Sequence, residues 1–177
     1  MVDKSSRRGF LRTTAAGGMA ALTGTRSDAA SGKQPNAPLV SNESPISRGY
    51  PIFPIAQASE LNTSASAVFH YPDKDSPCLL IKTGDAVPGG VGPGRDIVAY
   101  SAMCTHMGCL VAYDADTRTL KCPCHFSVFD PDQCGQMVCG QATENLPQIE
   151  LRFDDSSGRI SAVGIRGSLY GRVSNLL

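Results

Sequence analysis

Cys104-Thr105-His106-Met107-Gly108-Cys109 and, further on, Cys122-Pro123-Cys124-His125-Phe126-Ser127 are the two stretches on which the reading of this chain turns. Each offers one thiol and one imidazole at short spacing, as C-x-H and C-x2-H, with fifteen residues between His106 and Cys122. Two thiolates and two neutral imidazoles brought together suit a cluster of two irons and two sulfides, one per chain. Cys104 and Cys122 would sit on one iron, His106 and His125 on the other. Four thiolates would make the oxidised cluster a dianion, whereas this ligand set makes it neutral, so it accepts an electron more readily. The chemistry implied is one-electron transfer, not bond-making on a substrate, and no residue is marked out as catalytic. Zinc is the rival occupant. Structural zinc sites usually draw like ligands from each half, C-x2-4-C with H-x3-5-H. The mixed halves here favour iron and sulfide.

Two further cysteines accompany the ligands. If the four ligands converge, the two loops meet, and Cys109 and Cys124 meet with them. A bridge between them closes a loop of about fifteen residues, a constraint of about 3 kcal/mol in the chain-entropy model. Two buried free thiols are the alternative, and an oxidising compartment favours the bridge.

C-T-H-M-G-C and C-P-C-H-F-S resemble the two cluster-binding boxes of the Rieske protein family. The likeness extends to the paired cysteines, Gly108, Pro123 and Ser127. It implies an antiparallel β-sandwich or barrel with a cluster-binding subdomain of two loops. It also implies that the Ser127 hydroxyl donates to a bridging sulfide. Two positions depart from the pattern. Phe126 stands where the family often has glycine. Phe129 stands where many high-potential members have a tyrosine bonded to a ligand sulfur, which implies a lower potential here. The twin-arginine leader at Ser6–Arg12, Ser76–Lys82, Val87–Gly94, Asp96–Ser101, the second box with its continuation to Asp130, Gly140–Pro147 and Leu169–Arg172 are similar to the small subunit of arsenite oxidase. That resemblance runs from about residue 66 to the end. It implies a large partner subunit with a molybdopterin cofactor and an iron–sulfur cluster, and a c-type cytochrome or similar acceptor.

The 177 residues, 41% of them apolar, suit one domain behind a leader. The 18 glycines and 12 prolines are spread along the chain, as many turns between short strands require. Residues 1–30 hold five Lys/Arg and two Asp/Glu, leaving 11 basic and 14 acidic residues beyond them. No basic stripe marks a nucleic-acid partner. Ser6-Arg7-Arg8-Gly9-Phe10-Leu11-Arg12 has the twin-arginine pattern. The Ala-, Gly- and Thr-rich stretch after it, residues 13–25, is too short and polar for a stable membrane anchor. Residues 1–30 are therefore expected to be an export signal, with cleavage after Ala29 and a periplasmic destination. Residues 31–65 are expected to form a linker, or an arm lying on a partner, with Ile52, Phe53 and Ile55 as docking points. Residues 66–177 are expected to form the cluster domain.

The domain reads as all-β, because short runs rich in Val, Ile, Leu and aromatics alternate with turn signals. Strands are expected over 67–71, 78–82, 97–101, 110–113, 119–121, 128–129, 149–153, 160–165 and 169–173, with hairpin turns at 114–117 and 154–158. Residues 135–147 are expected to form a third loop over the cluster. Pro88-Gly89-Gly90-Val91-Gly92-Pro93-Gly94 lacks the Lys-Ser/Thr of a phosphate loop and reads as a tight surface loop. His70 reads as structural or surface-exposed and Cys78 as a small buried apolar residue. Pairing of Cys134 with Cys139 is left open. A Rieske subunit of a quinol-oxidising cytochrome bc complex, a ferredoxin feeding a dioxygenase and a zinc-binding interaction module are the other readings of the chain.

Overall fold

The structure is a computed structural model and describes residues 49–176. The leader, and the part of the expected arm before residue 49, lie outside the described residues. Ten strands form two antiparallel sheets. The strands are β1 Phe53–Gln57, β2 Ala65–His70, β3 Pro77–Lys82, β4 Ile97–Ser101, β5 Ala112–Asp114, β6 Thr119–Lys121, β7 Val128–Asp130, β8 Gln136–Cys139, β9 Gln148–Asp154 and β10 Arg159–Arg166. The larger sheet runs β1-β10-β9-β4-β3-β2 and the smaller β5-β6-β7-β8. The only helical pieces among the described residues are single 3-10 turns at Ala58–Glu60 and Pro131–Gln133.

The central strands β3 and β4 are buried on both faces, which is why they read as unbroken apolar runs. Alternation along them divides the core. Leu79, Ile81, Val98 and Tyr100 face one way and pack with Val111, Leu120 and Phe129 of the small-sheet region. Cys78, Leu80, Ile97 and Ala99 face the other way, against Ile149, Ile160 and Ala162 of β9 and β10. The Tyr100 hydroxyl, buried, donates to the Pro131 carbonyl at 2.7 Å and ties the small sheet to the large one. The hairpin turns fall where expected. Asp114 Oδ1 accepts from the backbone N–H groups of Asp116 and Thr117, and Asp154 Oδ1 accepts from those of Ser156 and Ser157.

Three expectations need correction. Residues 53–57, assigned to the linker, form β1, which pairs with β10. Pro51 and Pro54 hid the strand, yet an edge strand with a bulge tolerates proline. Ile55 packs against the core, while Ile52 and Phe53 remain exposed. Within the expected third loop, residues 136–139 form β8 against β7, bounded by Gly135 and Gly140. Residues 169–173 are not a strand. Gly171 has φ +74°, the Arg172 N–H closes a turn onto the Leu169 carbonyl, and the Asn175 side chain bonds to Leu169 N and Gly167 O. The all-β antiparallel fold is as expected, and the two loops of the cluster-binding subdomain are mounted on the four-stranded sheet.

Candidate metal centre

The two boxes fold into the same backbone shape. In the first, Cys104 N donates to Cys109 O and Gly108 N to Cys104 O, each at 2.8 Å. In the second, Cys122 N donates to Ser127 O at 2.8 Å and Phe126 N to Cys122 O at 3.1 Å. Both turns need a left-handed residue at the equivalent place. Gly108 adopts φ +73° without strain, whereas Phe126 is held at φ +60°. Phe126 is also 78% exposed, so packing repays little of that cost. Each turn follows a strand or bridge that fixes its base: Met103 bridges to Leu110, and Leu120–Lys121 pairs with Val128–Phe129.

Cys109 and Cys124 are joined by a disulfide that clamps the two turns together. The Cys122 sulfur lies within 4.8 Å of both bridged sulfurs. Those three sulfurs do not make a metal site, because two are already bonded to each other. They fix where Cys122 sits. Cys104 and Cys122 are free and buried at 1% and 2% exposure. Burial, and also the Cys122 sulfur beside it, push the Cys104 thiol up, while backbone hydrogen bonds from His106 and Met107 oppose this. A thiol raised in this way, as Cys104 is, is bound as the thiolate once a cation replaces its proton. The imidazoles of His106 and His125 stand edge to face with ring centroids 4.7 Å apart. His106 Nδ1 is buried and has no hydrogen-bond partner among the described residues. A buried polar atom left alone is costly, and a metal is the simplest partner for it. The donor set therefore fits a binuclear centre with a dry thiolate end and an imidazole end near the surface, where His125 is exposed.

The surroundings complete the fit. Ser127 is fully buried, and its hydroxyl oxygen accepts from Gln141 N at 3.1 Å and Ala142 N at 3.0 Å. With both lone pairs engaged, its proton is left to donate. Phe129 is fully buried in the core that also contains Cys104 and Cys122, and Pro123 is exposed at the tip. The segment after β8 covers the boxes. Thr105 Oγ1 donates to Glu144 O at 2.8 Å, and a β-carbon on Gly140 would lie 2.4 Å from Ser127 Cα. Sequence reasoning missed Thr105, Gly140 and Tyr170, whose ring packs on Gly108. Only Gly140, inside the expected third loop, carried any local signal. Cys134 and Cys139 are both free, His70 is exposed, and burial pushes the Cys78 thiol up to about 12. The Pro88–Gly94 stretch is a pair of tight turns closed by Gly90 N to Val87 O and Arg95 N to Gly92 O.

A family model described as the Rieske [2Fe-2S] domain matches residues 52–150. Iodate reductase subunit IdrB of Denitromonas iodatirespirans is 43% identical over 131 residues, which cover 71% of this chain and 69% of that protein. The subunit of the same name from Pseudomonas sp. (strain SCT) is 41% identical, covering 66% of this chain and 62% of its own. The cytochrome bc1 complex Rieske iron-sulfur subunit of Corynebacterium glutamicum is 43% identical over 68 residues, only 38% of this chain and 17% of that one. Among solved structures, the soluble domain of Rieske protein II (soxF) from Sulfolobus acidocaldarius superposes with a TM-score of 0.59 at 28% identity, covering 67% of this chain and 79% of that one. Paired boxes, a clamping disulfide, an antiparallel two-sheet fold and a matching family model together place this chain in the Rieske [2Fe-2S] domain family, as an oxidoreductase component that carries an iron–sulfur cluster.

Proposed function

We propose that Cys104 and Cys122 hold one iron of the [2Fe-2S] cluster and His106 and His125 the other. We further propose that the chain passes electrons for a large molybdopterin-containing catalytic subunit of the arsenite oxidase type. The observation that carries the ligand assignment is the buried Nδ1 of His106, unpartnered among the described residues, two positions from the free, buried Cys104, whose thiol has the free Cys122 sulfur beside it. When bound, the cluster stores one electron. The residues around it do the rest. The disulfide holds the two boxes together, and the Thr105–Glu144 bond ties the first box to the segment after β8. The buried cysteines keep water from the sulfur end, and exposed His125 gives a partner close access.

The arsenite oxidase reading is supported by similarity in segments remote from the ligands, such as Val87–Gly94 and Leu169–Arg172. In it, electrons leave the large subunit through this cluster for a periplasmic acceptor such as a c-type cytochrome, and the chain reaches the periplasm by the twin-arginine route. A second reading, an iodate reductase subunit, is favoured by the relatives that cover 71% and 66% of the chain. In that reading the electrons run the other way. The bc-complex reading is weaker, because the relatives of that type match little more than a third of the chain.

The test is to co-purify the complex and follow the reduced-cluster EPR signal without oxygen. Arsenite should make the signal grow in the oxidised complex. Loss of signal on adding iodate to the reduced complex, but not to the isolated chain, would favour the second reading instead. A signal that responds only to quinol would remove both.

A further inference from the structure

The C-terminal segment after β10 is turned back on itself and pinned at three points. Leu169 is buried at 2% exposure in the core beneath the large sheet. The Asn175 side chain bonds to both Leu169 N and Gly167 O, so the segment holds its own shape. Arg172 makes a forked pair of hydrogen bonds to Asp73, at 2.6 and 2.9 Å, which fastens the segment to the turn between β2 and β3. Between these anchors, Tyr170 reaches the first box. A β-carbon built on Gly108 would meet the Tyr170 ring at 2.6 and 2.7 Å, with Met103 Cε at 3.6 Å. The ring therefore occupies the space a side chain would take. Gly108 is the residue whose N–H closes the turn onto Cys104 O, two positions after His106. Among the described residues the second box has no such cover at the equivalent place, where Phe126 stands exposed.

We propose that Tyr170 is a positioning residue for the first ligand loop, holding the Cys104–Cys109 turn against the body of the protein so that Cys104 and His106 keep their orientation. The strap acts through the aromatic ring, because it is the ring carbons that meet Gly108. The proposal rests on the ligand assignment given above. The second loop needs no strap of its own, since Ser127, Gly140 and the disulfide already hold it.

The experiment uses the full chain with its cluster in place and compares Tyr170→Phe, Tyr170→Leu and Arg172→Gln with the parent. Three things are measured: the rate of cluster loss to a chelator, the reduced-state EPR line shape, and amide exchange across residues 104–111. Tyr170→Phe keeps the ring and should match the parent in all three. Tyr170→Leu should lose its cluster about tenfold faster, broaden the EPR signal and raise exchange at Gly108 and Cys104. Arg172→Gln, which frees the strap without touching the loop, should shift all three the same way by less. A Tyr170→Leu protein with parental line shape, chelator resistance and exchange would overturn the proposal, even if its melting temperature fell. So would a Tyr170→Phe variant as impaired as Tyr170→Leu. If the parent itself assembled no cluster, the ligand assignment would fail, while the exchange comparison would still decide whether Tyr170 holds the loop. If Tyr170→Leu fails to fold, Arg172→Gln decides between the outcomes.

Discussion

Gly140→Ala should damage this protein out of proportion to the single methyl group it adds. Gly140 sits at φ +107°, where an L-residue is strained by about 1 kcal/mol or more. The new β-carbon would also lie 2.4 Å from Ser127 Cα, 2.7 Å from Ser127 N and 2.8 Å from Phe126 O. All three are backbone atoms of the second box, so no side-chain rotation relieves the clash. Overpacking of this kind costs about 1–3 kcal/mol. Separating the loops also weakens the hydrogen bonds from Gln141 N and Ala142 N to Ser127. Together the loss is about 3 kcal/mol, which for a domain of this size lowers the melting temperature by about 10 °C. Denaturant melts of parent and variant measure it, and the EPR spectrum of the same samples reports whether Ser127 has moved relative to the cluster. A loss below about 0.5 kcal/mol with an unchanged spectrum would refute the reasoning, since it would mean that the segment after β8 does not press on the second box.

Phe126→Gly should stabilise the protein by about 1 kcal/mol by releasing the left-handed strain, because the exposed ring contributes little packing; a loss of stability in the same melts would show that the ring has a contact that matters. Cys109→Ala with Cys124→Ala should cost about 3 kcal/mol in denaturant melts and loosen the cluster, and an unchanged stability would mean that the cluster alone holds the loops together. Phe129→Tyr should raise the midpoint potential: a hydrogen bond to sulfur that strengthens by about 1 kcal/mol on reduction corresponds to about 40 mV; an unchanged potential with a lowered melting temperature would mean that the hydroxyl finds no sulfur. The Arg172 fork holds the Asp73 carboxyl at about 2, below its ordinary 3.8, so its stabilisation is fully present above about pH 4 and is lost as pH falls towards 2. Discounted for a side chain 30% exposed, it is about 1 kcal/mol, and Asp73→Asn should both lose that amount at neutral pH and flatten the acid limb of a pH–stability curve.

What the sequence showed and what it hid follow from the range of the interactions concerned. The disulfide partners and the central strands, like the proposed ligands, lie in local patterns, C-x-H, C-x2-H and short apolar runs, so each could be read within a few residues. β1 escaped because Pro54 within it is tolerable only at a sheet edge, and no local signal says which strand will be an edge. β8 escaped because four residues between two glycines look like a loop until β7 lies alongside. The equivalence of the two turns could have been suspected from Cys104-x-x-x-Gly108 set against Cys122-x-x-x-Phe126, although phenylalanine at a left-handed position conceals it. Tyr170 and Gly108 are sixty-two residues apart in the sequence, and only the folded strap brings them into contact.

The central claim is that two cysteines and two histidines hold a binuclear cluster. It is tested most directly by low-temperature EPR of the dithionite-reduced protein, grown with and without 15N-histidine, with iron and sulfide quantified on the same sample. The account predicts about two irons and two sulfides per chain, an average g below the free-electron value and a hyperfine change on histidine labelling that Cys104→Ser and His106→Ala abolish along with the signal. Zinc in place of iron with no signal, or a cluster indifferent to histidine labelling, would contradict it.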